Sequence, residues 1–151
     1  MGSNLRAMEI HVKVLHPDAV VPTYAHEGDA GCDLVAVESR SLQAAGGRAM
    51  VPTGMAIAIP LGHAGLVVPR SGLAATHGVT CINAPGLIDS GYRGEVTVAL
   101  VNLDPHTDYE VRKGDRIAQL VVVASSSVEF HVVDDLAPAT RGSSGFGSTG
   151  R

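Results

Sequence analysis

The chain contains no tryptophan, and only three tyrosines and two phenylalanines among its 151 residues. Its core must therefore be built from valine, leucine, isoleucine and alanine, a selection that favours pleated sheet over large aromatic clusters. Cysteine is as scarce. Cys32 and Cys81 lie far apart, with no CxxC and no histidine at ligand spacing. That excludes a disulfide framework and a zinc site, and predicts two reduced, packed thiols. Positive charge is also in deficit: with a formal charge of -4 and a pI near 5.9, there is no basic stripe to track a nucleic-acid backbone, so polymeric DNA or RNA is not an expected partner. No apolar run approaches the roughly 18 residues of a membrane helix. The N-terminus lacks a charged-then-apolar secretory pattern, so no membrane partner and a cytoplasmic location are expected. Residues 1–7 show no periodicity and read as an appended or unstructured leader before a start at Met8.

What remains is a chain of short apolar runs cut by glycine and proline, with 45% hydrophobic residues, enough for one domain with a real core. Ile10, Val12 and Val14 alternate with more polar neighbours until Pro17 ends a first strand. Further strands are predicted at 30–37, 50–59, 65–70, 79–82, 87–88, 95–102, 109–111, 116–123 and 128–133, with turn signals every eight to twelve residues or so. Only residues 71–77 (SGLAATH) look helical, with Ser71 as a possible N-cap and Gly78 as the stop. The fold class expected is all-β, a jelly-roll-like barrel or sandwich with one short helix.

Two segments carry chemistry on their own terms. In GLIDSGYRG, Gly86 to Gly94, the carboxylate of Asp89 stands three residues before the ring of Tyr92. An acid able to polarise a water and a flat surface for a sugar sit together, although a plain turn between strands fits the same residues. Arg70, Ser71 and Gly72 stand where the helix begins, where hydroxyl, backbone N–H groups and helix dipole favour anionic oxygen. By composition, residues 142–150 (GSSGFGSTG) form a tail that cannot bury enough area to order itself.

Taken in order, AGCDL at 30–34, PRSGL at 69–73, GLIDSGYRG at 86–94, GDRIAQL at 114–120 and RGSSGFGSTG at 141–150 resemble the five motifs of the trimeric dUTP diphosphatases. The resemblance spans about residues 10–150, and five ordered motifs make a specific match. It implies a β-domain over residues 8–137 and a flexible tail over 138–151 that closes on the active site. The domain would assemble as a homotrimer whose three sites each draw on all three chains. The implied reaction is Mg²⁺-dependent hydrolysis of dUTP to dUMP and diphosphate, keeping uracil out of DNA and supplying the thymidylate precursor.

The same resemblance assigns roles. Asp89 would activate the water that strikes the α-phosphorus, and Tyr92 would pack under the deoxyribose and leave no room for a 2′-hydroxyl. Asn83, Gly86, Leu87 and Ile88 belong to the hairpin that reads the uracil edge; without the family this stretch is a simple Asn-Pro-Gly turn. Arg70, Ser71, Gly72 and Gln119 would hold the triphosphate. Arg141 would reach the γ-phosphate, Phe146 would stack on the base, and Gly147 would wrap the phosphates with its neighbours. Asp33 would act on Mg²⁺ indirectly, through water, the ion being held mainly by phosphates. Two alternatives stand beside this. A dCTP deaminase shares the fold but needs an acid/base glutamate near the base, and none falls within 83–94. A nucleotide sensor could keep the fold without turnover, but would have no need of Asp89.

Overall fold

The computed structural model describes residues 8–140, 142 and 143. Ten strands and one helix follow in order: β1 His11–Val14, β2 Cys32–Val35, β3 Arg40–Leu42, β4 Arg48–Ala58, β5 His63–Pro69, α1 Ser71–His77, β6 Val79–Cys81, β7 Gly86–Ile88, β8 Glu95–Asn102, β9 Tyr109–Val111 and β10 Arg116–Ala124. One antiparallel sheet runs β1-β4-β8-β6, a second runs β2-β10-β5-β7, and β3 and β9 form a two-stranded ribbon. The mostly β fold with one short helix is as expected from the alternating apolar pattern.

The core is filled from both four-stranded sheets. Val51, Met55, Val98 and Leu100 come from the first and Leu34, Val67, Ala118 and Leu120 from the second, joined in one buried cluster. Along β8, Val96, Val98 and Leu100 are buried while Thr97 is exposed, the period of two that a pleated strand imposes. A register shift interrupts the β4–β8 ladder between Pro52 and Ala56. Gly54 occupies this bulge at φ 70°, where a Cβ would come within 2.7 Å of His16 Cβ. Both the backbone angle and the close approach therefore require glycine.

The helix covers the expected residues and stops at Gly78, which adopts the left-handed conformation (φ 65°, ψ 15°). Its start differs from expectation. Arg70 is the N-cap, without a side-chain capping bond, and Ser71 is already helical.

Three further differences have physical causes. The ribbon strand β3 was not foreseen because Arg40–Leu42 has one apolar residue, Leu42, beside an arginine and a serine, so no apolar run marks it. The stretch 83–87 is not a hairpin: β6 pairs with β8 in one sheet and β7 with β5 in the other, so these residues cross between sheets, over a cis Ala84–Pro85 peptide. The segment 128–133, alternating as a strand should, joins no sheet and has no ladder partner among the described residues. Its apolar side chains stand in solvent, Phe130 at 91% exposure. Both cysteines are free, and burial pushes the Cys81 thiol up to about 11. Among the described residues no helix is long and apolar enough to cross a membrane.

Candidate active site

Asp89 lies at the point where the chain leaves β7 to cross from one sheet to β8 of the other. The crossing is tightly folded on itself. The Tyr92 N–H donates to Asp89 O at 3.1 Å, and Arg93 Nη1 donates to Ser90 O and Tyr92 O, each at 2.7 Å. The Tyr92 hydroxyl donates to Glu95 O at 3.0 Å. Main-chain carbonyls that sheet pairing would otherwise satisfy are thus used by the loop itself. Asp89 and Tyr92 remain exposed, and among the described residues no hydrogen bond or ion pair engages the Asp89 carboxylate.

These two side chains meet a cavity of about 160 Å³ that also takes Asn83, Gly86, Leu87 and Ile88 into its wall. The structure therefore brings together Asp89, expected at the attacking water, and five of the residues expected at the base and sugar. Gly86 is closely packed: a Cβ there would lie 3.2 Å from both Asn83 Nδ2 and Val67 Cβ, so those neighbours would have to give way. Glu95, Thr97 and Ala99 complete the wall from β8. Glu95 escaped the sequence reading, which looked for acids only as far as Gly94. Its Oε1 accepts the Gly54 N–H at 2.8 Å, tying the cavity wall to the β4 bulge.

A second group gathers around Asp33. Central β10 sets Gln119 opposite Asp33 on β2 and Ala118 opposite Pro69 on β5, so Arg70 arrives just beyond the end of that ladder. Asp33 Oδ1 lies 3.4 Å from Arg70 Nε, and Oδ2 lies 3.2 Å from Arg116 Nη1. Gln119 Nε2 is 3.5 Å from Oδ1. Arg70 Nη1 also donates to Arg116 O at 2.9 Å. Asp33, a charged residue within β2, is thus a partly buried anchor between two guanidinium groups. Arg116 was the second residue missed, although it sits inside the GDRIAQL stretch three positions before Gln119. Ser71 and Gly72 are exposed at the start of α1, and no side chain of the Asp33 group lines the cavity. Arg141, Phe146 and Gly147 lie outside the described residues.

Among the described residues no group of three or more His, Cys, Asp or Glu side chains could cage a metal ion. Asp33 is the only carboxylate in the arginine group, and each of its oxygens already faces a cation. This donor set fits a hard ion held by phosphate and water with one carboxylate nearby, the arrangement Mg²⁺ favours, and not a protein cage.

Comparison with known proteins is consistent across sequence and structure. The profile of the dUTPase family matches residues 18–150. A deoxyuridine 5'-triphosphate nucleotidohydrolase of Thermobifida fusca is 52% identical over 143 residues, 95% of this chain and 79% of that protein. The one from Streptomyces griseus is 51% identical over 143 residues, covering 95% and 81%. Among solved structures, the dUTPase of Staphylococcus bacteriophage 80alpha with dUPNHPP superposes at a TM-score of 0.88 and 29% identity, covering 96% of this chain and all of that one. A phage phi11 dUTPase variant whose structure reveals the coordination of a structural Mg(II) ion gives a TM-score of 0.76 at 25% identity, over 85% and 98% of the two chains.

Proposed function

The chain belongs to the dUTPase family, whose defining reaction is the hydrolysis of dUTP to dUMP and diphosphate, and we propose that it carries this out by water attack on the α-phosphorus, in line with the leaving diphosphate. The observation that carries this reading is the cavity that joins Asn83, Gly86, Asp89 and Tyr92. Asp89, exposed and with no partner for its carboxylate among the described residues, takes the proton of the attacking water. Phosphoryl chemistry asks little covalent participation of the protein, so placing that water is a large part of the catalysis. The ring of Tyr92 occupies the space a 2′-hydroxyl would need. Main-chain groups of the 83–87 crossing, with the Asn83 amide, pair with uracil O4 and N3–H; cytosine inverts that pattern and leaves polar groups unpaired.

Arg70, Ser71, Gly72 and Gln119 bind the phosphates, with Arg141 reaching the γ-phosphate and Phe146 and Gly147 covering the nucleotide from the 138–151 tail. Asp33 holds Arg70 and Arg116 in place and reaches Mg²⁺ through water. When bound, Mg²⁺ neutralises phosphate charge and favours departure of diphosphate. Keeping uracil out of DNA and supplying dUMP for thymidylate follow from the reaction.

We further propose that the 8–137 β-domain works as a homotrimer with shared sites. Two features support it. The phosphate-type group around Asp33 does not line the cavity of its own chain, and the strand-patterned 128–133 segment has no sheet partner among the described residues of its own chain.

The test is diphosphate and proton release with dUTP, dTTP, dCTP and UTP in parallel, with and without Mg²⁺. Turnover confined to dUTP and stimulated by Mg²⁺ is expected. Ammonia from dCTP would point to the deaminase and give Glu95 a chemical role. Tight dUTP binding without turnover would make the protein a sensor.

A further inference from the structure

The phenol ring of Tyr92 lies directly over Gly94. A Cβ at residue 94 would sit 2.4 Å from Tyr92 Oη, 2.6 Å from Cζ and 3.0 Å from Cε2, well inside contact distance. The left-handed backbone that favours glycine is not the reason for one here, because Gly94 is not among the residues with positive φ. The missing side chain serves the ring. The hydroxyl passes over the bare Cα to donate to Glu95 O at 3.0 Å, while the Glu95 carboxylate is fixed on the Gly54 N–H at 2.8 Å. The turn bond from the Tyr92 N–H to Asp89 O fixes the main chain that carries the ring, and the ring itself is seated at two points, the Glu95 carbonyl and the open face of Gly94.

We propose that Gly94 is a specificity-determining positioning residue, which by lacking a Cβ lets the Tyr92 ring lie back against its own loop and so sets the room left beside the sugar. This rests on Tyr92 acting as the ribose gate. The atoms a Cβ would strike are the far end of a side chain that can turn about χ1, whereas the backbone of residue 95 is held in β8. A methyl group at 94 therefore displaces the ring and spares the fold. The displaced ring loses its bond to Glu95 O, and with it a defined distance to C2′.

The experiment measures kcat/KM for dUTP and UTP in the parent enzyme, Gly94→Ala, Tyr92→Ala and the double variant, with melting curves for each. Gly94→Ala is expected to lower the dUTP:UTP ratio by about tenfold or more with little change in Tm. In the Tyr92→Ala background the same substitution should change the ratio no further, because the ring it acts on is gone. If Tyr92→Ala keeps the parent's ratio, the gate reading fails and takes the premise with it. If Tyr92→Ala lowers the ratio and Gly94→Ala does not, the gate stands and the seat is overturned. An equal effect of Gly94→Ala with and without the ring overturns it too. Should Gly94→Ala fail to fold, Tyr92→Phe reads the same seat by freeing the ring from Glu95 O: a lowered ratio supports the proposal and the parent's ratio refutes it.

Discussion

Replacing Asp89 by asparagine removes a charge and keeps the shape. The residue is exposed, and the bond that closes its turn comes from the Tyr92 N–H to the Asp89 main-chain oxygen, which asparagine retains. Stability should therefore change by no more than about 0.5 kcal/mol. Catalysis should not escape so lightly. A positioned general base contributes about 10²- to 10⁴-fold, so kcat is expected to fall by that factor, about 3–5 kcal/mol of barrier at 1.36 kcal/mol per decade. Binding is measured by calorimetry with a dUTP analogue carrying an α,β-imido bridge, and turnover by proton release; the first should be nearly unchanged and the second nearly lost. A variant that keeps kcat within about threefold of the parent would refute the assignment of Asp89 as base. Loss of analogue affinity as large as the loss in rate would instead make Asp89 a binding residue.

Other outcomes follow from single observations. Asn102, fully buried, donates through Nδ2 to Leu42 O at 3.1 Å and Thr107 O at 2.8 Å and accepts from the Asp104 N–H at 3.0 Å. At about 1 kcal/mol per bond, Asn102→Ala should lose about 3 kcal/mol in urea unfolding, and a loss below about 1 kcal/mol would contradict this account. Burial raises the Cys81 thiol from 9.0 to about 11. The folded state thus keeps a proton that the unfolded state releases, and this contribution to stability, present below pH 9, should fade as pH rises toward 11. Alkylation at pH 8 should accordingly spare Cys81 until the chain unfolds, and rapid native labelling would show the site to be open. Truncation before Arg141 should lose dUTP turnover while leaving the melting curve close to the parent's.

Strand positions were legible because β8 carries a buried face with a period of two over Val96, Val98 and Leu100, and β10 is a nearly continuous apolar run in the middle of its sheet. Which strand joins which sheet was not, since β6 and β7 look alike in sequence yet ladder to partners in opposite sheets. That is why 83–87 read as a hairpin when it is a crossing. The base and sugar residues were readable from one contiguous stretch. Arg116 and Glu95 were not, because each is defined by a partner distant in the chain, Asp33 for one and the Gly54 bulge for the other. The cap was placed one position late, at Ser71 in place of Arg70, because a serine opening a helical run can be the cap or the first helical residue.

The 128–133 segment shows how the sequence can be right about a residue pattern while one chain cannot express it. Val128, Phe130 and Val132 alternate with Glu129 and His131, yet all three apolar side chains are exposed. Exposing a phenylalanine and two valines forgoes about 1.5–3 kcal/mol for each side chain that could be buried, and an unpaired strand leaves its N–H and C=O groups to water. A second copy of the chain, adding an edge and an apolar surface, resolves both costs at once and suits the proposed trimer. Phe130→Asp places a charge in the middle of that stripe and leaves the intrachain core untouched. Sedimentation should then show trimers giving way to monomers at concentrations where the parent is fully assembled. Activity should fall with the trimer fraction, as sites shared between chains require. A Phe130→Asp protein that remains a fully active trimer would place the stripe outside the assembly and remove this support for it.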